Sequence, residues 1–149
     1  MRTVLIDTGP IVAYLSANDT HHAWAVAALG QLRPPLLTCE PVLAEAVYLL
    51  RGLSSGSARV FELLRRGAVS VGFTLADELE PVQRVIARYG PGRTDLADAC
   101  LVRMSEVYAD PVVVTIDSQF RDVYRRHGRK TIPTMLPRLP RRRYAPPSG

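Results

Sequence analysis

The chain has 149 residues, 47% hydrophobic and 22% charged, with a formal net charge of +5. That is the length and balance of one globular domain able to bury a substantial core. It leaves no room for a disulfide framework, since Cys39 and Cys100 are the only cysteines. Nor does any run approach the roughly 18 to 20 uncharged apolar residues of a membrane span.

The two cysteines lie among apolar residues without metal-site spacing and read as reduced core residues. Asp7 interrupts the first apolar run before it could serve as a signal peptide, so the expected location is cytoplasmic. The charge is unevenly placed. Residues 121–149 hold nine Arg or Lys and one acid, Asp122, whereas residues 1–120 hold ten Arg and thirteen acids. A polyanionic partner would be drawn first to the C-terminal end.

In chain order, Thr3–Ile6 predicts a buried strand that ends on Asp7, followed by a helix over 10–17. A second helix is expected over 21–32, then a strand at Leu36–Thr38 and a helix over 41–51 that Pro41 suits as a first turn. "GLSSGSA" (52–58) reads as a flexible joint before a helix over 57–66. Val69–Phe73 predicts a strand, 75–89 and 95–108 helices, Val112–Ile116 a strand, and Lys130–Ile132 a weak one. From about Pro137 the Pro- and Arg-rich end is expected to be extended or disordered, making 138–149 a basic tail to a domain over 1–137. Strands alternating with helices predict an α/β fold with a mainly parallel sheet covered on both faces. Ligands of such folds gather outside the carboxyl ends of the strands, where Asp7 would stand.

Four stretches place carboxylates where water is scarce. Asp7 follows the first strand, and Asp117 follows the strand Val112–Ile116 in the same way. Glu45 lies on a helix apolar nearly all round, with Val42 and Leu49 on its own face and Leu43, Val47 and Leu50 on the others. Such a helix should be buried, and its carboxylate must then be paired, protonated or bound to a cation. In "RTDLADACLV", Asp95 can cap a helix and Asp98 can sit in its first turn as a capping-box partner. Each residue alone has an ordinary structural explanation; the four stretches together point to one cluster on one sheet edge. Like charges about 4 Å apart repel by around 4 kcal/mol at an effective dielectric of 20, which calls for a cation or raised pKa values. All-oxygen ligands without His or Cys select Mg²⁺ or Mn²⁺, the ions of phosphodiester hydrolysis.

The order "LIDTGPIVA", "EPVLAEAVYLL", "DLADACLV", "VVTIDSQF" resembles the PIN-domain family, especially the VapC-type toxins of bacterial toxin–antitoxin pairs, over roughly residues 3–135. The resemblance implies a three-layer α/β/α sandwich and a Mg²⁺-dependent site that cleaves single-stranded RNA. It assigns Asp7 and Asp98 to the metal, and makes Glu45 a ligand or proton acceptor. It gives Asp117 the closing position and Asp95 an auxiliary one. Thr8 and Thr115 match hydroxyl positions beside two of the acids, and Arg88 and Arg93 stand near the site as candidate phosphate contacts. An antitoxin partner and a homodimer are expected by the same resemblance. The other function class is a non-catalytic PIN-like RNA-binding or protein-interaction module. A haloacid-dehalogenase-type phosphatase is disfavoured because Gly9 stands where its second Asp is needed, and no Walker motif occurs. His21 and His22 read as surface or capping residues, and Tyr14, Trp24 and Tyr48 as core or interface.

Overall fold

The computed structural model describes residues 2–138. The expected tail lies outside the described residues from residue 139 onward. Five strands form one parallel sheet in the order β3-β2-β1-β4-β7: β1 Thr3–Ile6, β2 Leu36–Thr38, β3 Val69–Val71, β4 Pro111–Val114 and β7 Thr134–Met135. The helices α1 (Thr8–Leu15), α2 (His22–Gly30), α3 (Glu40–Leu49), α4 (Gly56–Arg65), α5 (Leu79–Tyr89) and α6 (Leu96–Val107) flank it, giving the expected α/β/α sandwich. The core is continuous from Leu5 and Ile6 of β1 through Val112–Val114 of β4 to Leu101, Val102 and Met104 of α6.

The chain leaves β1 toward β2 and β3, then returns to lay β4 on the other side of β1. The strand order therefore reverses between β1 and β4, which opens a crevice at their carboxyl ends. Ile6 pairs with Val114 in register, and the Asp7 N–H donates to the Val114 carbonyl at 3.0 Å. Asp7 thus stands at the reversal point.

Several boundaries differ from expectation for identifiable reasons. α1 begins at Thr8 because Asp7 caps it with its own carboxylate, accepting the Thr8 N–H at 2.7 Å. The helix expected over 75–89 divides into a short 3₁₀ turn, Leu75–Asp77, and α5, which places Pro81 in a first turn where its missing N–H costs nothing. α3 is not buried all round: Val42 and Ala46 are, but Glu45, Tyr48 and Leu49 are exposed, the last two by 60% and 55%. The Tyr48 ring instead lies under the Arg51 guanidinium, 3.8 Å from it.

The joint expected over 52–58 divides into a turn over 52–55 and the first residues of α4. Ser55 adopts φ 59°, Gly56 is buried, and its N–H donates to the Leu53 carbonyl at 3.2 Å. At the other end, Lys130–Thr131 (β6) does not join the main sheet. It pairs antiparallel with β5 (Arg125–Arg126) across a turn in which His127 and Gly128 have φ 52° and 74°. The fifth sheet strand is β7, set beyond Pro133. Cys39 and Cys100 are both free and buried.

Candidate active site

Asp7, Glu45, Asp95, Asp98 and Asp117 line one open depression of about 350 Å³ at the carboxyl edge of β1 and β4, together with Thr8, Gly9, Leu49 and Ile116. Four separate elements deliver them. Asp7 leaves β1, Glu45 projects from α3, Asp95 and Asp98 occupy the N-terminus of α6, and Asp117 precedes the short helix α7 (Gln119–Asp122). The lining carries no Arg, Lys or His. The chemistry that the sequence scatters over 110 residues is brought to one place by the reversal of strand order.

The carboxylates are aimed by neighbouring donors. Asp7 Oδ1 accepts the Thr8 N–H and Oδ2 accepts the Thr115 hydroxyl, each at 2.7 Å. The Thr8 hydroxyl donates to Glu45 Oε2 at 2.9 Å. Asp95 caps α6 by accepting the Asp98 N–H at 2.8 Å, and Asp117 Oδ1 accepts the Gln119 N–H at 2.9 Å. Asp98 is not a capping-box partner: its Oδ2 accepts the Tyr124 hydroxyl at 2.9 Å. Glu45, Asp95, Asp98 and Asp117 each keep one oxygen with no protein donor among the described residues.

Burial is the main force on the two inner acids. It pushes Asp7 up to about 6, with the charges of Asp117 and Glu45 adding to the rise and the Thr115 and Thr8 bonds opposing it. Asp98 is pushed up to about 7 by burial, then by Asp7 and Asp95, against the Tyr124 bond. The cluster carries the strain expected of like charges out of water. All potential ligands are oxygens, the donor set of Mg²⁺ and Mn²⁺. As the side chains stand, no three His, Cys, Asp or Glu among the described residues are gathered closely enough to hold an ion, so ligation requires them to draw in.

Tyr124, Gln119 and Thr94 are the residues that sequence reasoning passed over. Tyr124 is buried, and its hydroxyl lies 2.9 Å from Asp98 Oδ2 and 3.1 Å from Gln119 Oε1. A phenylalanine and a tyrosine four residues apart soon after Asp117 were the available signal. Arg88 and Arg93 do not line the depression. Arg88 is turned toward Glu106 at 3.7 Å and the Arg125 carbonyl at 3.4 Å, which ties α5 to α6 and to the β5–β6 hairpin. His21 and His22 also lie outside the depression; His22 Nδ1 meets the Ala13 carbonyl at 2.7 Å.

Known proteins resemble the chain over most of its length. Ribonuclease VapC26 of Mycobacterium tuberculosis is 28% identical over 116 residues, 76% of this chain and 86% of the relative. Ribonuclease VapC36 of the same organism is 32% identical over 92 residues, 60% of this chain and 66% of the relative. The crystal structure of Mycobacterium tuberculosis VapC20, a sarcin–ricin loop cleaving toxin, matches with a TM-score of 0.65 at 21% identity, over 77% of this chain and 90% of that one. That last likeness is one of fold. The model of the PIN domain family matches residues 4–126. The matched span holds all five acids, and the chain belongs to the PIN domain family.

Proposed function

We propose that this protein is a Mg²⁺-dependent endoribonuclease that cleaves single-stranded RNA and acts as the toxin of a type II toxin–antitoxin pair. Mn²⁺ would serve the same donors. The observation that carries the reading is the half-held state of Glu45, Asp95, Asp98 and Asp117, one oxygen fixed by a protein donor and the other left for a ligand, around an Asp7 aimed through both oxygens. Outer hydrogen bonds of this kind orient metal ligands, and donated to a carboxylate they favour its ionised, ligating form. The relatives named ribonucleases, and the cation-free lining, support the same conclusion.

Asp7 and Asp98 would hold the ion, with Asp117, Glu45 and Asp95 around it. When bound, the ion supplies neutralising charge, polarises the phosphodiester and favours ionisation of a water. The chain's own residues do the rest. Thr115 and the Thr8 N–H keep Asp7 in one rotamer. Glu45, held at Oε2, can accept the water's proton at Oε1. The basic run after Asp117, with Arg121, Arg125, Arg126, Arg129 and Lys130, supports a polyanionic substrate. Exposed Val26, Tyr48, Leu49 and Phe61 support a protein partner, which on this reading is a cognate antitoxin and a second copy of the chain. The cytoplasm is the location such a toxin requires.

The test is cleavage of a labelled single-stranded RNA pool with Mg²⁺, with EDTA, and by a double Asp7→Asn, Asp98→Asn variant. Cleavage that both controls abolish supports the reading. Cleavage by the variant, or in EDTA, excludes the metal mechanism. No cleavage under any condition favours a non-catalytic RNA-binding or protein-interaction module.

A further inference from the structure

Among the acids of the depression, Asp98 is held by a phenol, where Asp7 and Glu45 are held by threonine hydroxyls. Tyr124 follows α7, is 1% exposed, and meets Asp98 across 26 residues of sequence. Its ring is wedged edge-on between Tyr89 at 5.1 Å and Phe120 at 5.0 Å, both at 71°. Such packing fixes the direction of the hydroxyl as well as the ring. The hydroxyl has one proton and two acceptors within reach, Asp98 Oδ2 and Gln119 Oε1. Turning the Gln119 amide over places its NH₂ against the phenol oxygen and leaves the phenol proton for Asp98, so all groups are satisfied. The Thr94 hydroxyl stands beside the same phenol, buried and without a well-formed hydrogen bond among the described residues.

We infer that Tyr124 is a positioning residue of the metal site, backed by Gln119 and Thr94, and that it fixes Asp98 Oδ2 so that Oδ1 is presented for ligation. The inference rests on the metal-dependent reading above. Tyr124 touches neither substrate nor ion; it acts through Asp98. A hydroxyl added behind a ligand this way is worth roughly 10-fold or more in metal affinity.

The experiment is Mn²⁺ binding to the full chain, followed by electron paramagnetic resonance, with melting temperature measured in EDTA alongside. Tyr124→Phe keeps the stacked ring and removes the hydroxyl. The expected result is Mn²⁺ affinity weakened about 10-fold, an unchanged KM for RNA, and cleavage restored by raising Mg²⁺, while the melting temperature in EDTA reports the lost buried hydrogen bond separately. Wild-type Mn²⁺ affinity in Tyr124→Phe overturns the inference, and a lowered melting temperature with unchanged affinity assigns the tyrosine to the core alone. If Tyr124→Phe fails to fold, Gln119→Ala on the exposed side of the same relay decides: weakened Mn²⁺ binding supports the inference and unchanged binding overturns it. Absence of Mn²⁺ binding by the unaltered chain overturns the metal reading itself and this inference with it.

Discussion

Thr115 Oγ1 donates to Asp7 Oδ2 at 2.7 Å, and the same oxygen accepts the Asp117 N–H at 2.9 Å. One buried hydroxyl therefore sets the relation between the acid leaving β1 and the acid following β4. Thr115→Val keeps the shape and removes both bonds. A buried group left without its partner costs about 1–3 kcal/mol, so the melting temperature should fall. Asp7 should also titrate higher than about 6, because the Thr115 bond is one of the two contacts holding it down. Cleavage should drop at neutral pH, and Thr115→Ser should restore most of it. A Thr115→Val protein of normal stability and activity would show that the hydroxyl positions nothing.

Asp7 and Asp98 give the metal-free protein an unusual pH dependence. Their folded-state values, about 6 and about 7, lie above the ordinary 3.8. Acids raised on folding stabilise the native state below their unfolded pKa, and that stability is lost as pH rises through the folded pKa. Their contribution therefore declines between about pH 4 and about pH 7. In EDTA, Asp7→Asn should melt higher than the unaltered chain at pH 8 and nearly alike at pH 4. Mg²⁺ favours the ionised acids, so it should raise the melting temperature more at pH 8 than at pH 5. Thermal scans across pH, with EDTA and with Mg²⁺, check both signs.

The strands β1 and β2 and the five acids could be read from the sequence because their signals are local. Val4–Ile6 is an apolar run that only a buried strand explains, and Asp7 and Asp98 are carboxylates among residues that exclude water. What depends on distant packing could not be read. The Tyr124–Asp98 bond exists only because α7 folds back onto α6. Lys130–Thr131 has the composition of a strand, but the left-handed His127–Gly128 turn commits it to a hairpin and leaves the sheet edge to Thr134–Met135. α3 misled for another reason. An apolar sequence on all sides predicts burial, yet Tyr48 and Leu49 face outward, so composition reported an exposed apolar face rather than a core helix.

The Thr8–Glu45 contact separates function from stability. Glu45 is exposed and can turn to water, but Thr8 is buried and its hydroxyl also lies 3.4 Å from the Val42 carbonyl, so losing the 2.9 Å bond to Glu45 should cost only about 1 kcal/mol of stability. Thr8→Val keeps the backbone N–H that caps with Asp7. Its kcat should nevertheless fall about 10-fold, the low end of what a positioned proton acceptor contributes being about 10²-fold. KM should stay unchanged and Thr8→Ser should be near normal. Steady-state cleavage kinetics beside a denaturation curve decide it, and equal kcat in both variants would remove Glu45 positioning from the mechanism.

Gly56 is the position where a single methyl should do most harm away from the acids. It opens α4 immediately after the turn that follows α3, and a Cβ there would lie 2.1 Å from the Leu50 carbonyl oxygen and 3.0 Å from its carbon. The obstacle is backbone, so no rotamer change relieves it. The chain between α3 and α4 must shift, and that disturbs buried Leu50 and Val60 at the junction. Gly56→Ala should destabilise by about 3 kcal/mol, within the range for overpacking a close contact. In a domain of this size that is roughly 10 °C. Gly52→Ala is the internal control, because nothing lies within 4 Å of a Cβ at that position. Melting curves of the two variants should differ widely, and similar curves would restore the segment to a flexible joint.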